Sequence, residues 1–313
     1  SPVLRHRLVD AATGPEGLRR DIDDFLRRPF DLESETGFRA AVFELDSAED
    51  PHTHLAVVLH HVAIDGWSIR VLLTDLLRAY DGQRLSVPAD EAFTYADFTQ
   101  WQIARLGDPS DPRSRYARQL RFWTSTLADA PGPLRLPGIA DTGGRPRDAA
   151  ARRLSASIVG TDSLHQTAKA MSASVFQVAH AALATVLGRW TGEWDLLIGV
   201  PVHGRHAPEW ESVVGMFVNT VALRTRLHPG LPIREAVVRA RDAALAAQPH
   251  SEVPYEDVAR MVRPDGREAG DPLISVLLVN QDVVPQSSGE VVLGGASAGG
   301  PGPEADAVIA RLV

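Results

Sequence analysis

Cysteine is absent, which excludes disulfides, thiolate metal sites and a cysteine nucleophile in one step; any covalent chemistry falls to serine, threonine, lysine or a carboxylate. Lysine is nearly absent too. Of 32 basic side chains only Lys169 is a lysine, and the arginines are scattered, mostly singly, through a chain of formal net charge −8. The contiguous positive footprint that a phosphate backbone requires is therefore missing, and nucleic acid is not an expected partner. No apolar run approaches the roughly 20 residues of a membrane-spanning helix, and Ser1 is followed by neither a basic region nor a hydrophobic signal core. No membrane contact is expected, and the chain reads as soluble and cytoplasmic. Neither Gly-x-x-x-x-Gly-Lys nor a strand-borne Gly-x-Gly-x-x-Gly occurs, so no nucleotide cradle is expected.

What is present is apolar material, 44% of 313 residues, enough for a substantial core and, at about 150 residues per domain, for two lobes. Pro131, Pro133, Pro137 and Pro146 stand among Gly132, Gly138, Gly143 and Gly144, a density that admits no regular element between Ala130 and Asp148. This stretch is taken as the connection, with an N-terminal lobe over 1–145 and a C-terminal lobe over 146–313.

In the first lobe, helical spacing over Leu18–Leu26 stops at Pro29, residues 38–46 alternate as a strand, and Leu55–Leu59 is a short apolar run suited to a strand buried on both faces. Ile69, Leu72, Leu73, Leu76, Leu77 and Tyr80 form one helical stripe, started by Asp65 or Ser68 and ended by Asp81-Gly82. The second lobe reads as a strand at 152–159, a helical stretch from Ser163 to Trp190, strands at Asp195–Val202 and Met216–Leu227, a helix at Ile233–Gln248 and a strand at Leu273–Asn280. A Gly/Ser/Pro-rich surface loop follows over 284–305. The fold class expected is a mixed α/β, or two-layer α+β, architecture in both halves. The chain opens on Ser and ends in a strand-like run, Ala307–Val313, so it is expected to be part of something longer.

The most specific local pattern is His60-His61-Val-Ala-Ile-Asp65-Gly66, where a buried strand runs out and a helix begins. A strand end followed by a glycine turn aims side chains and the first amides of the next helix into one cleft, where a base and a hydrogen-bond donor converge on a reacting atom. Histidine, with an ordinary pKa of about 6.5, is able to take a proton from an amine or alcohol near neutral pH. Period-two alternation sends His60 and His61 to opposite sides, so one is the base and the other packs or hydrogen-bonds. Asp65 either completes a relay or pairs with an arginine that fixes the turn, and the bend at Gly66 favours the second. Ser68 could serve as a nucleophile, but a helix cap is its plainer role, since it is not set in a Gly-x-Ser-x-Gly elbow. The histidines at 52, 54, 203 and 206 lack helical i, i+4 ligand spacing, and no metal is expected.

Further segments join this one: Tyr95-Ala-Asp97-Phe-Thr-Gln-Trp101-Gln102, Gly199-Val-Pro201-Val-His-Gly204-Arg205, Val214-Gly215-Met-Phe217-Val-Asn219-Thr220, His250-Ser-Glu-Val-Pro254-Tyr255-Glu256, and Pro272-Leu273 leading to Asn280-Gln281. In order and spacing the chain resembles the condensation domains of nonribosomal peptide synthetases, within the chloramphenicol-acetyltransferase-like superfamily. That resemblance covers nearly the whole chain, although the family's opening motifs and the close of its second lobe have no counterpart, so the chain resembles the middle of such a domain. The resemblance implies two chloramphenicol-acetyltransferase-like lobes in a V, with a tunnel between them and an active site inside it.

It further implies an acyltransferase of antibiotic-type secondary metabolism that joins the thioester of a donor carrier protein to the amine on an acceptor carrier protein, beside an adenylation domain. No cofactor is bound directly, the substrates riding on the carriers' phosphopantetheine arms. By the same resemblance His61 and Gly66 are catalytic, the second offering its N–H near the forming oxyanion; His60, Asp65 and Arg205 are structural, with Asp65 paired to Arg205 across the lobes; and Trp67, Ser68, Asn219 and Asn280 line the tunnel. Trp67-Ser68, Phe217 to Thr220 and His250 to Pro254 resemble most the type that joins two L-configured residues. Two alternatives stand beside this: a sister acyltransferase forming an ester, and a non-catalytic condensation-like recruitment domain.

Overall fold

A computed structural model describes residues 4–9, 14–45, 53–85, 93–138, 161–263, 272–280, 291–296 and 305–312. In chain order its elements are β1 (Leu4–Val9), α1 (Gly14–Arg27), β2 (Phe38–Leu45), β3 (Thr53–His60), α2 (Gly66–Tyr80), α3 (Tyr95–Leu106), α4 (Arg115–Thr126), α5 (Thr161–Ala170) and α6 (Val175–Thr191). These are followed by β4 (Asp195–Val202), β5 (Asn219–Arg226), α7 (Ile233–Ala247), α8 (Tyr255–Val262), β6 (Val291–Ala296) and β7 (Ala305–Leu312). The class is α+β. One sheet has the order β1-β2-β3-β7-β6, parallel only between β1 and β2, and the second pairs β4 with β5 antiparallel.

Three cores follow from the apolar periodicities. On α1, Leu18, Ile22 and Phe25 recur at helical spacing and bury against Ala41 and Phe43 of β2 and Ala56 and Val58 of β3. On the other sheet, α6 and α7 meet through Ala181, Ala184, Ala236 and Ala240, small enough for close approach, over Leu196 and Ile198 of β4. The opposite face of β4 and β5 is covered by Trp123 and Leu127 at the end of α4, with Val253 and Val258.

A boundary at 145/146 does not coincide with these cores. Trp123 and Leu127 precede it and pack on β4 and β5, while β6 and β7 follow it and extend the sheet of β3, where Leu59 is opposite Asp306. The strand expected at 152–159 lies outside the described residues.

Three other expectations change. The helical stretch Ser163–Trp190 is two helices bent by 92°. Ser172 takes φ +51°, and Ser174 starts α6 with a capping box to Gln177, so the local caps break what the apolar spacing alone joins. Residues 273–280 are not a strand: they touch β4 at one point, where the Gly199 N–H donates to the Val276 carbonyl and the Leu278 N–H to the Gly199 carbonyl. A Cβ on Gly199 would stand 2.5 Å from Leu277, so glycine is what lets the segment cross there. The expected loop over 284–305 contains β6.

Candidate active site

The turn between β3 and α2 is built by its own side chains. His60 ends β3 at φ −78°, ψ 137°, and its Nδ1 accepts the Val62 N–H at 3.0 Å, capping a 3₁₀ turn over His61–Ala63. The Ile64 N–H closes back on the His61 carbonyl at 3.3 Å, and His61 Nδ1 lies 2.8 Å from the Ile64 carbonyl. A carbonyl only accepts, so His61 Nδ1 carries a proton, and in the neutral ring the lone pair is on Nε2. The His61 ring is half-buried, and among the described residues its Nε2 has no hydrogen-bond partner. His60 is buried, edge-on to Phe30 with ring centres 5.9 Å apart. The two histidines do take different surroundings, though the cause is the 3₁₀ turn rather than strand alternation, because β3 ends at His60.

Asp65 caps α2, its Oδ1 accepting the Ser68 N–H at 2.8 Å. The same carboxylate receives Arg205 Nη1 at 2.7 Å and Nη2 at 3.2 Å, and the Phe217 N–H at 3.0 Å. Both side chains are sealed from solvent, at 1% exposure for Arg205 and 0% for Asp65. Arg205 spends its remaining donors on the Trp210 and Val213 carbonyls and on Ser68 Oγ, and its guanidinium lies 3.9 Å over the Phe217 ring. Such a pair repays its desolvation only when further hydrogen bonds satisfy its polar atoms, and here all three guanidinium nitrogens and both carboxylate oxygens are bonded.

Aromatic packing walls the pair in. Phe98, whose helix α3 begins with a Thr94–Asp97 capping box, packs with Trp210, Val213 and Phe217, and the Tyr95 hydroxyl donates to the Met216 carbonyl at 2.6 Å. Burial, then the nearby Asp65 charge, raises the Tyr95 pKa. Gly204, at φ +66°, has no alternative: a Cβ there would fall 1.8 Å from the Phe217 carbonyl oxygen.

Ser68 does not cap α2, where Asp65 holds that place. Fully buried, its hydroxyl accepts from Arg205 Nη2 and the Gly215 N–H and donates to the Gly215 carbonyl. Asn219 is likewise consumed as a clamp: its amide donates to the Ser251 and Val253 carbonyls and accepts the Tyr255 N–H. Trp67 is 36% exposed beside Gly66, its indole N–H tied to the Glu211 carbonyl and its ring under the Arg70 guanidinium. Asn280 is exposed at the end of the 272–280 segment and, among the described residues, hydrogen-bonds to none of the site. His203 Nδ1 accepts the Arg205 N–H, holding the turn that presents the guanidinium.

A second buried charge, Glu252, is clamped by Arg105 of α3 at 2.9 Å and Arg115 of α4 at 2.5 Å. Burial pushes its carboxyl up, but hydrogen bonds from Arg115 and Arg105 outweigh this and hold its pKa below the usual value. The partners of Glu252 were not legible in the motif that contains it, because Arg105 and Arg115 lie 147 and 137 residues away, and the backbone groups of 210–217 were not legible because a carbonyl or N–H partner leaves no residue type to find. A shallow cleft lined by Pro131, Leu134, Glu193, Asp195 and Leu273 contains none of the expected site residues.

Compared with known proteins, the chain matches the family model described as "Condensation domain" over residues 9–292. It is 35% identical over 285 residues to the isonitrile lipopeptide synthase of Mycobacterium tuberculosis (strain ATCC 25618 / H37Rv), covering 88% of this chain and 11% of that protein. It is 33% identical over 261 residues to the dimodular nonribosomal peptide synthase of Bacillus subtilis (strain 168), covering 82% of this chain and 11% of that one. The chain thus spans about a tenth of either relative. Among solved structures, the first condensation domain of the CDA synthetase superposes with a TM-score of 0.65 at 25% identity, over 99% of this chain and 69% of that chain. The X-domain complexed with OxyB from teicoplanin biosynthesis gives 0.74 at 23% identity, over 99% and 71%.

Proposed function

The chain belongs to the condensation-domain family, and from that premise we propose that it forms an amide between a donor acyl or peptidyl thioester on one carrier protein and the amine of an aminoacyl group on another. The observation that carries this reading is the state of His61. Its Nδ1–H is held by the Ile64 carbonyl, and the unbonded Nε2 of this half-buried residue sits one turn before an α2 whose first N–H groups have no intrahelical acceptor.

In the proposed reaction the acceptor nitrogen attacks the thioester carbonyl carbon. The C–N bond forms, the C–S bond breaks, and one amine proton passes to His61 Nε2 and from there to the departing pantetheine sulfur, which leaves as the thiol. The Gly66 N–H, at the first turn of α2, stabilises the oxyanion. Asp65 and Arg205 take no part in proton transfer, because every polar atom between them is occupied; they hold the turn. Both acyl groups ride on phosphopantetheine arms of carrier proteins, with an adenylation domain alongside. Trp67-Ser68 and the 217–220 and 250–254 segments support the type that joins two L-configured residues.

The test is a carrier-loaded condensation assay. His61→Ala is expected to lower amide formation by at least about 100-fold, the usual contribution of a positioned general base, with the fold unchanged by circular dichroism. Offering an alcohol acceptor in place of the amine separates the ester-forming alternative. Full activity of His61→Ala, or wild-type turnover only with alcohols, would overturn the reading.

A further inference from the structure

We infer that His60 is a positioning residue for His61, acting through a hydrogen bond that selects the tautomers of both rings; the inference rests on the catalytic role proposed for His61. The Val62 N–H donates to His60 Nδ1 at 3.0 Å, so that nitrogen carries no hydrogen and the neutral ring holds its proton on Nε2. His60 Nε2 is buried and, among the described residues, has no hydrogen-bond partner. An orphaned buried donor is unfavourable, and an apolar side chain would fill the place beside Phe30 without that cost. What the imidazole supplies in return is its other nitrogen.

That nitrogen closes the N-terminal end of the turn. Residues 60–64 are held by the Val62 N–H to His60 Nδ1, the Ile64 N–H to the His61 carbonyl, and the His61 Nδ1–H to the Ile64 carbonyl. The far end is anchored independently, by fully buried Ile64 and by the Asp65 N–H on the Gly215 carbonyl at 3.1 Å. Gly37 backs the near end: its carbonyl accepts the His60 N–H at 2.8 Å, and a Cβ on it would stand 3.0 Å from Ala63. With one end fixed by the lock and the strand fixed by the sheet, the His60 side chain is the group that decides where residues 61–63 turn. Without it the Val62 N–H loses its acceptor, the turn relaxes, and the His61 ring loses the carbonyl that keeps its proton on Nδ1.

Isosteres separate this role from packing. Asparagine Oδ1 stands the same number of bonds from Cα as histidine Nδ1, whereas glutamine Oε1 is one bond further out. His60→Asn is expected to keep kcat within about threefold of the wild type. His60→Gln and His60→Leu should lose about 100-fold in kcat with KM little changed, the scale of an ångström-sized misplacement.

In parallel, imidazole ¹⁵N resonances of the wild-type chain should show His60 protonated on Nε2 and His61 on Nδ1. His61 should keep that state in His60→Asn and lose it in His60→Leu. The spectra need no turnover, so an inactive wild type counts against the proposed reaction while the tautomers still decide this inference. It is overturned if wild-type His61 carries its proton on Nε2, or if His60→Leu matches His60→Asn in kcat.

Discussion

Removing the charge of Asp65 while keeping its shape tests the lock most directly. In Asp65→Asn one carboxylate oxygen becomes an NH₂ group. Whichever way the amide turns, that group faces two donors: Ser68 N–H and Arg205 Nη2 on the Oδ1 side, or Arg205 Nη1 and Phe217 N–H on the Oδ2 side. Two hydrogen bonds are lost and a guanidinium with 1% exposure is left without a counter-charge. Breaking a buried pair from one side costs about 3–5 kcal/mol, a large part of the roughly 5–15 kcal/mol that holds a typical domain together.

Urea unfolding followed by tryptophan fluorescence reads the loss, since the Arg205 guanidinium lies over the Trp67 ring and donates to the Trp210 carbonyl. The companion variants are Arg205→Met and the double substitution. Because most of the single-variant cost is the stranded partner, the double should be less destabilised than the sum by about 2 kcal/mol or more. A loss under about 1 kcal/mol in Asp65→Asn, or strict additivity, would refute the argument that this pair holds the turn.

Gly204→Ala should give little or no soluble protein, because its Cβ would overlap the Phe217 carbonyl oxygen at a positive φ; an alanine variant of wild-type stability would show that the 203–206 turn is placed differently. His180, with no exposure between α6 and β5, has its pKa lowered to about 4 by burial, so the unfolded chain binds a proton that the folded chain refuses. Its contribution is complete above about pH 6.5, is reduced by about 2 kcal/mol at pH 5, and is gone below about pH 4. His180→Leu should therefore flatten the stability profile between pH 7 and 5 by about 2 kcal/mol; parallel wild-type and variant profiles would contradict it.

The helix and strand that carry His61 were legible because each has a one-dimensional signature: a continuous apolar run for β3, and a 3.6-residue stripe behind an Asp-Gly start for α2. The Asp65–Arg205 pairing came only through family resemblance, since 140 residues separate the two and nothing local links them. Ser68 and Asn219 show what the sequence does not tell about polar residues near the site. Both are small polar residues beside the motif, and whether such a residue faces a channel or satisfies buried backbone depends on which segments fold over it.

The 163–190 stretch failed for the opposite reason. Its apolar period runs on through a break that two capping interactions impose. Likewise, no pattern in 305–312 announces that β7 pairs with β3.

By itself, then, the chain's order of residues determined the elements around the motif, the histidine and aspartate at its heart, and the exclusion of thiol chemistry, because each depends on local spacing or on composition. Folding in three dimensions decided which histidine is buried and which is half-exposed, which polar side chains are spent inside the protein, and which strands share a sheet. Those outcomes depend on hydrogen-bond partners, many of them backbone carbonyls and amides, that are distant along the chain and chemically identical at every position.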